Sequence, residues 1–336
     1  MISGAASYAG LLATALFAAI VFLLPITLAS ALAYRRLRSR LARIEPSARA
    51  RLYLGVAALP FAAAMAGLLA TFLPSFLSWA GAAADHCHLH PDHIHLCLRH
   101  PPQLAHTFMA SMLVAAVLLA CGSVLASWLL HFANTRSLVR QLLQISRHDH
   151  ARALHIVDTD APLAFAAGLR APQLFVSSRL VAQLSAAQLD AVIAHERAHA
   201  ARRDALMQTI ASALSCLHLP ATRRRLLADL SLAAEQACDE SACVATGDRL
   251  LVAEAIVAVE KLFATQSRRA PNLCAANHFN GSNVDVRVTA ILDAARLETP
   301  SPRLFWAAGL AAMVVLAALC DPLHHATESL LGLIFH

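Results

Sequence analysis

Two histidines and a glutamate stand close together in the second half of the chain, at His195, Glu196 and His199. On an α-helix, positions four apart lie about 40° from each other, so both imidazoles project from one face and can hold one metal ion. Glu196 then stands beside the ion, where it can take a proton from a bound water whose pKa the metal has lowered. Ser185 is a suitable N-cap for such a helix. The spacing predicts a helix that carries a hydrolytic metal site, with Glu196 as the general base.

A third ligand is needed, because a catalytic zinc ion has three protein ligands and an open fourth position for water. A second helical run follows downstream and contains Glu235 and Asp239, four residues apart on one face. Glu235 can complete a His-His-Glu ligand set. Asp239 can accept the spare N–H of a ligating histidine and fix its tautomer. We therefore expect one zinc ion held by His195, His199 and Glu235.

The composition indicates a membrane protein. Of the 336 residues, 58% are hydrophobic and only 14% are charged, which is not the balance of a soluble domain. Three charge-free runs exceed the roughly 20 apolar residues that cross a bilayer, and a fourth is just long enough. The expected transmembrane helices lie at about 8–34, 53–80 and 104–132, with a fourth, followed by a short tail, in 304–336.

The arginines orient these helices. Residues 35–52 carry seven arginines, and short loops this rich in arginine stay in the cytoplasm. Loop 81–103 carries only Arg99 and is expected outside, so the domain at 134–303 is expected in the cytoplasm. The location is then a bacterial inner membrane, with the N-terminus outside. Because the basic residues flank the spans, the net charge of +6 indicates the lipid bilayer as a partner and no direct nucleic-acid partner.

The loop expected outside is rich in metal-binding residues. Imidazole suits zinc, copper or nickel, and two cysteines in an oxidising compartment can form a disulfide. The loop is therefore a candidate external metal site or a pH-responsive patch, and a polar connector without a task is the alternative. Its histidines are His86, His88, His90, His93 and His95, and its cysteines are Cys87 and Cys97.

Residues 134–303 show long helical patterns and only short β-prone runs, at 153–159 and 172–178. The expected fold class is a mainly α membrane protein. Its four transmembrane helices accompany a cytoplasmic α+β metalloprotease domain of the HExxH, gluzincin-like type, with a small sheet.

Three runs in this chain resemble the BlaR/MecR-type membrane metallopeptidases, the antirepressor family of beta-lactam sensor-transducers. The runs are APLAFAAGLRAPQLFVSSRLVAQLSAAQLDAVIAHERAHAARRD, EQACDESA and HFNGSNVDVRVTAIL. The resemblance implies zinc binding by His195, His199 and Glu235, with Glu196 as base and later proton donor, and Asp239 orienting a histidine. It also implies an edge strand beside the cleft to which an extended substrate could add. That strand would comprise Gln173, Leu174, Phe175 and Val176.

The resemblance suggests signal transduction, in which a cytosolic winged-helix repressor is the protein substrate. The penicillin-binding sensor domain of the best-known members has no counterpart in these residues, so beta-lactam sensing is not expected. Two alternatives stay open: a constitutive quality-control protease of the membrane, and a metal-sensing receptor whose peptidase domain is inactive. The residue that stabilises the oxyanion also stays open, with candidates at His218, His278, Arg202 and Arg203, as does self-cleavage near Arg268-Arg269.

Overall fold

The computed structural model describes residues 2–82, 107–168, 171–269, 283–293 and 301–335. Helices dominate these residues and a single four-stranded sheet accompanies them. The histidine-rich loop expected outside, with its candidate metal ligands and its candidate disulfide, lies outside the described residues, as does His278.

Four of the helices are long and apolar enough to cross a membrane, as the sequence predicted. They are α1 (Ile2–Leu41), α2 (Pro46–Trp79), α3 (Thr107–Ile145) and α10 (Pro302–Phe335). Their candidate spans are Gly10–Leu41, Pro46–Trp79, Val114–Ile145 and Gly309–Leu330. The predicted fold class, mainly helical with four such helices and a small sheet, is confirmed.

Two connections differ from the prediction. The arginine-rich segment 35–52 is not a loop, because α1 runs on to Leu41 and α2 begins at Pro46 after a tight turn. Arginine is a good helix former, and the carboxylate of Glu45 caps α2 by accepting hydrogen bonds from the Ser47 and Ala48 amides at 3.1 and 3.2 Å. At the other end, the expected tail is helical, since α10 continues through Pro322 to Phe335.

The sheet has the strand order β1-β2-β4-β3. Its strands are β1 (Ser146–Asp149), β2 (Leu154–Val157), β3 (Ala164–Ala167) and β4 (Gln173–Ser177). β4 pairs in parallel with β2 on one side and antiparallel with β3 on the other. The expectation that residues 173–176 form an edge strand is therefore wrong, because both sides of β4 are paired and its side chains from Leu174 to Ser177 are buried. The edge strand next to it is β3.

Six further helices complete the domain: α4 (Ser178–Gln183), α5 (Ala186–Arg202), α6 (Asp204–Leu214), α7 (Pro220–Thr246), α8 (Arg249–Arg269) and α9 (Val284–Leu292). Ser185 and Gln188 form a capping box that begins α5. α5 packs against the sheet, α7 and α8. Leu189 and Ile193 of α5 share a buried core with Val176 of β4 and Val259 of α8, and this core fixes α5 under the sheet.

The domain also packs directly on α1 and α2. Tyr34 and Tyr53 from these helices share a buried cluster with Ala211 of α6 and with Leu226 and Leu230 of α7. At the edge of this cluster Arg38 donates to Asp229 of α7, with 2.7 Å from Nη2 to Oδ1. The base of the first two helices is therefore part of the hydrophobic core that holds α7.

Candidate metal centre

Helices α5 and α7 bring the three expected ligands together. The Nε2 atoms of His195 and His199 lie 3.1 Å apart. Glu235 of α7 places Oε2 at 3.4 Å from Nε2 of His195 and Oε1 at 3.5 Å from Nε2 of His199. Helical periodicity explains the alignment of the imidazoles on α5, and the packing of α5 on α7 brings in the carboxylate.

These separations fit a tetrahedral ion. Ligand atoms at 2.0–2.2 Å from zinc lie about 3.3–3.6 Å apart when the geometry is tetrahedral. The two imidazole nitrogens are 3.1 Å apart, and each lies 3.4–3.5 Å from a different oxygen of Glu235. Oε2 of Glu235 is buried and makes no aligned hydrogen bond with any described residue. Its neighbours are the ring nitrogen of His195 at 3.4 Å and Nη1 of Arg287 at 3.1 Å, and an ion between the two imidazoles would give it a further partner.

His195 is held from behind by a buried ion pair. Its Nδ1 lies 2.9 Å from Oδ1 of Asp239. Arg287 of α9 donates to both oxygens of the same carboxylate, at 2.8 Å from Nε and 2.6 Å from Nη2, and its Nη1 lies 3.1 Å from Oε2 of Glu235. Such a partner fixes the ring so that Nε2 faces the centre. Arg287 thus contacts both Glu235, a candidate metal ligand, and Asp239, the acid that orients His195.

His199 has its own carboxylate, Asp204, at the start of α6. Nδ1 of His199 lies 2.8 Å from Oδ2 of Asp204. Arg202 lies beside the same carboxylate, with Nε 3.3 Å from it, and donates from Nη1 to the Ser47 hydroxyl at 2.9 Å. Because Ser47 lies in the first turn of α2, these contacts connect a candidate ligand, His199, with the base of the second membrane helix.

The buried charges shift one another's protonation. Burial alone would raise the pKa of Glu235, but its contacts with both imidazoles hold that pKa well below the usual range. Burial alone would lower the pKa of His195 and of His199, but hydrogen bonds to Asp239 and Asp204 respectively raise both. The carboxylates thus favour a positive charge at the imidazoles, and a metal ion would supply that charge.

Asp204 is also close to Cys238, whose Sγ lies 3.4 Å from Oδ2. His199, Asp204 and Cys238 form a second group with ligand-like spacing. Burial raises the pKa of the Cys238 thiol to about 11, so the sulfur keeps its proton at neutral pH and donates to Asp204. A thiol must lose its proton to ligate a metal, and this group is therefore better described as a hydrogen-bond network behind His199.

Glu196 lies at the inner end of a cleft of about 620 Å³ that also contains His195, His199 and Glu235. One wall of the cleft is β3, from Ala164 to Ala166, and the opposite wall is formed by α6 and α7. Because β3 is an edge strand of the sheet, it leaves one side unpaired along the cleft.

A smaller pocket of about 40 Å³ opens beside Glu196. Its walls are mostly apolar and come from α5 and α8, with Val192, Ile256, Val259 and Phe263 among them. It suits a small apolar side chain next to the atoms on which Glu196 acts.

The residues considered for oxyanion stabilisation differ in whether they line the cleft. His218 is buried away from the cleft, where Nε2 lies 3.0 Å from the Val56 carbonyl oxygen and Nδ1 lies 3.5 Å from Ser30 Oγ. Arg202 is occupied by Asp204 and Ser47. Arg203 lines the cleft, in a left-handed conformation with φ of 55° that joins α5 to α6. Arg287, which sequence reasoning missed, lines it as well.

Comparison with known proteins gives one family match. Residues 130–273 match the model of peptidase family M48. Neither the curated proteins nor the solved structures contain a match. The chain therefore contains a metallopeptidase domain of the M48 type, which begins in α3 and includes all three candidate ligands. The match does not single out the BlaR/MecR-type proteases within the membrane metallopeptidases.

Proposed function

We propose that this protein is a membrane-bound zinc endopeptidase whose site faces the cytoplasm. One observation carries the proposal: His195, His199 and Glu235 converge at tetrahedral separations, and Glu196 lies beside them at the inner end of an open cleft. The residues fit zinc better than a hard cation, because two of the three donors are imidazole nitrogens.

A zinc ion at this site would polarise the scissile carbonyl and lower the pKa of the attacking water. The residues of the chain perform the remaining tasks. The Glu196 carboxylate accepts the proton from the attacking water and then delivers it to the departing amide nitrogen. Asp239 and Asp204 hold the two imidazoles through their Nδ1 atoms, and Arg287 holds Asp239. Glu196 is free for this role, since its neighbours on α5 supply the ligands.

The substrate is an extended segment of a protein. Its backbone would pair with the free side of β3, which supplies ladder hydrogen bonds and fixes the direction of the chain across Glu196. The apolar pocket beside Glu196 would accept the neighbouring side chain of the substrate. Backbone pairing does not depend on the amino-acid sequence of the substrate, so this pocket would determine which substrate sequences are preferred.

Regulated proteolysis of a cytosolic repressor is the biological role that we favour. Support comes from the arginines at 35–51, since the positive-inside rule favours a cytoplasmic location for the base of α1 and α2. The domain packs on that base, so the cleft would face cytosolic proteins. The inner membrane of a bacterium is the corresponding location.

The test uses the full-length protein in detergent with a library of extended peptides. Wild-type protein should cleave them, lose activity on chelation, and regain it with Zn²⁺. Glu196→Gln should lower kcat by at least about 100-fold, as loss of a general base does, while retaining the same zinc content as wild type. Glu254→Gln, an exposed glutamate on α8, is the matched control and should behave as wild type. Equal cleavage by the Glu196→Gln variant would refute the assignment.

A further inference from the structure

A cluster of three histidines lies on the sheet, outside the metal centre just described. His148 is in β1, His155 is in β2, and His150 begins the turn between these strands. His148 and His155 are direct partners in the antiparallel pair. Side chains two residues apart on a strand face the same side, so His150 joins them on one face of the hairpin.

The rings of His148 and His150 are already close enough to share an ion, and the ring of His155 would have to rotate to join them. Nδ1 of His148 lies 3.2 Å from Nδ1 of His150, and the ring centroids are 4.3 Å apart. The ring of His155 lies 4.8 Å from that of His148. Two nitrogens bound to one tetrahedral zinc ion are about 3.3 Å apart, which is nearly the separation of the two Nδ1 atoms. His148 and His150 are exposed, so an ion can reach them from solvent.

The third histidine is suited to join them. His155 is half-buried and lies directly opposite His148 in the antiparallel pair. Its Nδ1 lies 3.3 Å from the Ser146 hydroxyl, a weak partner that a ring rotation would exchange for a metal ion. The neighbouring carboxylate of Asp149 is already engaged, since Oδ1 accepts from the Ala151 and Arg152 amides at 3.0 and 3.3 Å.

We propose that His148, His150 and His155 form a second metal site, which binds a divalent transition metal through imidazole nitrogens alone. An all-nitrogen ligand set favours Zn²⁺, Ni²⁺ or Cu²⁺ over Mg²⁺ or Ca²⁺, which prefer oxygen. The site is separate from the peptidase centre, because its ligands belong to β1, β2 and their turn instead of α5 and α7.

The hairpin that carries this site is tied to the peptidase cleft in two ways. His155 and Phe175 are register partners, as are Phe175 and Phe165, with ring centroids 5.3 and 5.6 Å apart. Phe165 lies in the cleft wall. In addition, Arg152 of the turn pairs with Asp190 of α5 at 3.1 Å. An ion that cross-links β1, β2 and their turn would therefore stiffen the sheet next to the substrate strand.

The first test counts metal in full-length protein that has been equilibrated with Zn²⁺ in detergent and then desalted. The His148→Ala, His150→Ala double variant should retain one zinc ion fewer per chain than wild type. His131→Ala, which removes an exposed histidine of α3, is the matched control and should retain the wild-type number. An unchanged zinc content in the double variant would overturn the proposal.

The second test needs no variant of the site and no peptidase activity. Diethylpyrocarbonate modifies unliganded imidazoles, and peptide mass spectrometry reports the modification at His148 and His150 separately. Saturating Zn²⁺ should lower the modification at both residues at least tenfold, also in protein that carries His195→Ala and His199→Ala. Equal modification with and without Zn²⁺ would mean that the two rings share only a hydrogen bond, and the site would be rejected even if the peptidase proposal holds.

Discussion

Replacing Arg287 by methionine should destabilise the protein strongly, and more so without metal than with it. The guanidinium is 5% exposed and donates to both oxygens of Asp239, which is 1% exposed. It also lies 3.1 Å from Glu235. Methionine keeps most of the volume but leaves the buried carboxylate of Asp239 and the half-buried carboxylate of Glu235 without this cation. Breaking a buried pair in this way costs about 3–5 kcal/mol.

This loss of folding free energy corresponds to a measurable change in Tm. For a domain of 150–250 residues, each kcal/mol corresponds to about 2–4 °C in Tm, so Tm of the metal-free variant should fall by roughly 6–20 °C. A zinc ion would supply part of the missing positive charge at Glu235, so the fall should be smaller in the metal-loaded protein. Arg287→Lys keeps the charge but not the two-pronged contact, and it should lie between methionine and wild type.

The assay is thermal unfolding of the full-length protein in detergent, with and without added Zn²⁺. Arg225→Met, which removes an exposed arginine of α7, is the control and should change stability by no more than about 0.5 kcal/mol. If Arg287→Met unfolds at the wild-type temperature in the absence of metal, the carboxylates of Asp239 and Glu235 do not depend on this guanidinium, and the arrangement described for α9 is incorrect.

Three other perturbations have definite outcomes. Asp204→Ala should weaken zinc binding about 10–100-fold, as loss of a ligand-orienting partner does, in a competition with a chromogenic chelator; unchanged affinity would remove Asp204 from the site. Burial would raise the pKa of Asp229, but hydrogen bonds from Arg38 and Tyr34 hold that pKa below its usual value. Ionised Asp229 therefore stabilises the folded state above about pH 4, and this contribution is lost as the pH falls through the lowered pKa. The Tm difference between wild type and Asp229→Asn should therefore shrink between pH 7 and pH 3, and a constant difference would contradict this. Phe263→Ala enlarges the apolar pocket and should shift peptide preference towards larger apolar side chains, whereas an unchanged preference would place selectivity elsewhere.

The local part of the site could be predicted from the sequence, because helical periodicity fixes it. His195, Glu196 and His199 lie within a single turn and a half of α5, and Glu235 and Asp239 are one turn apart on α7. Spacing along one helix decides which side chains share a face. The small sheet and the four long helices likewise follow from short β-prone runs and from long apolar runs.

The parts that were missed depend on packing between distant segments. Arg287 is 48 residues beyond Asp239 and reaches it only because α9 packs on α7, which no local pattern specifies. Asp204 follows the motif directly, and the Arg-Arg-Asp run was a usable signal for it. The edge-strand prediction was wrong for the same reason that Arg287 was missed. Whether β4 is an edge strand depends on β2 and β3, which pair with it from both sides.

The carboxylates that contact the two imidazoles connect them to different parts of the chain. Which segments a fragment retains therefore decides whether the site keeps both supports. Asp239 leads to Arg287 on α9, whereas Asp204 leads through Arg202 to Ser47 at the start of α2. The helix that bears Glu235 also shares its buried cluster, through Leu226 and Leu230, with Tyr34 and Tyr53.

A fragment that begins after α3 would lose the two tyrosines and Ser47 together. It would expose the apolar face of α7 to water and remove the outer support of His199 at the same time. Since burial of one large apolar side chain contributes about 1.5–3 kcal/mol, the loss of several such contacts approaches the whole stability of a typical domain. The metal centre therefore depends on the first two helices for its geometry as well as for its location, and a signal that moved α1 against α2 would reach His199 through a path of direct contacts.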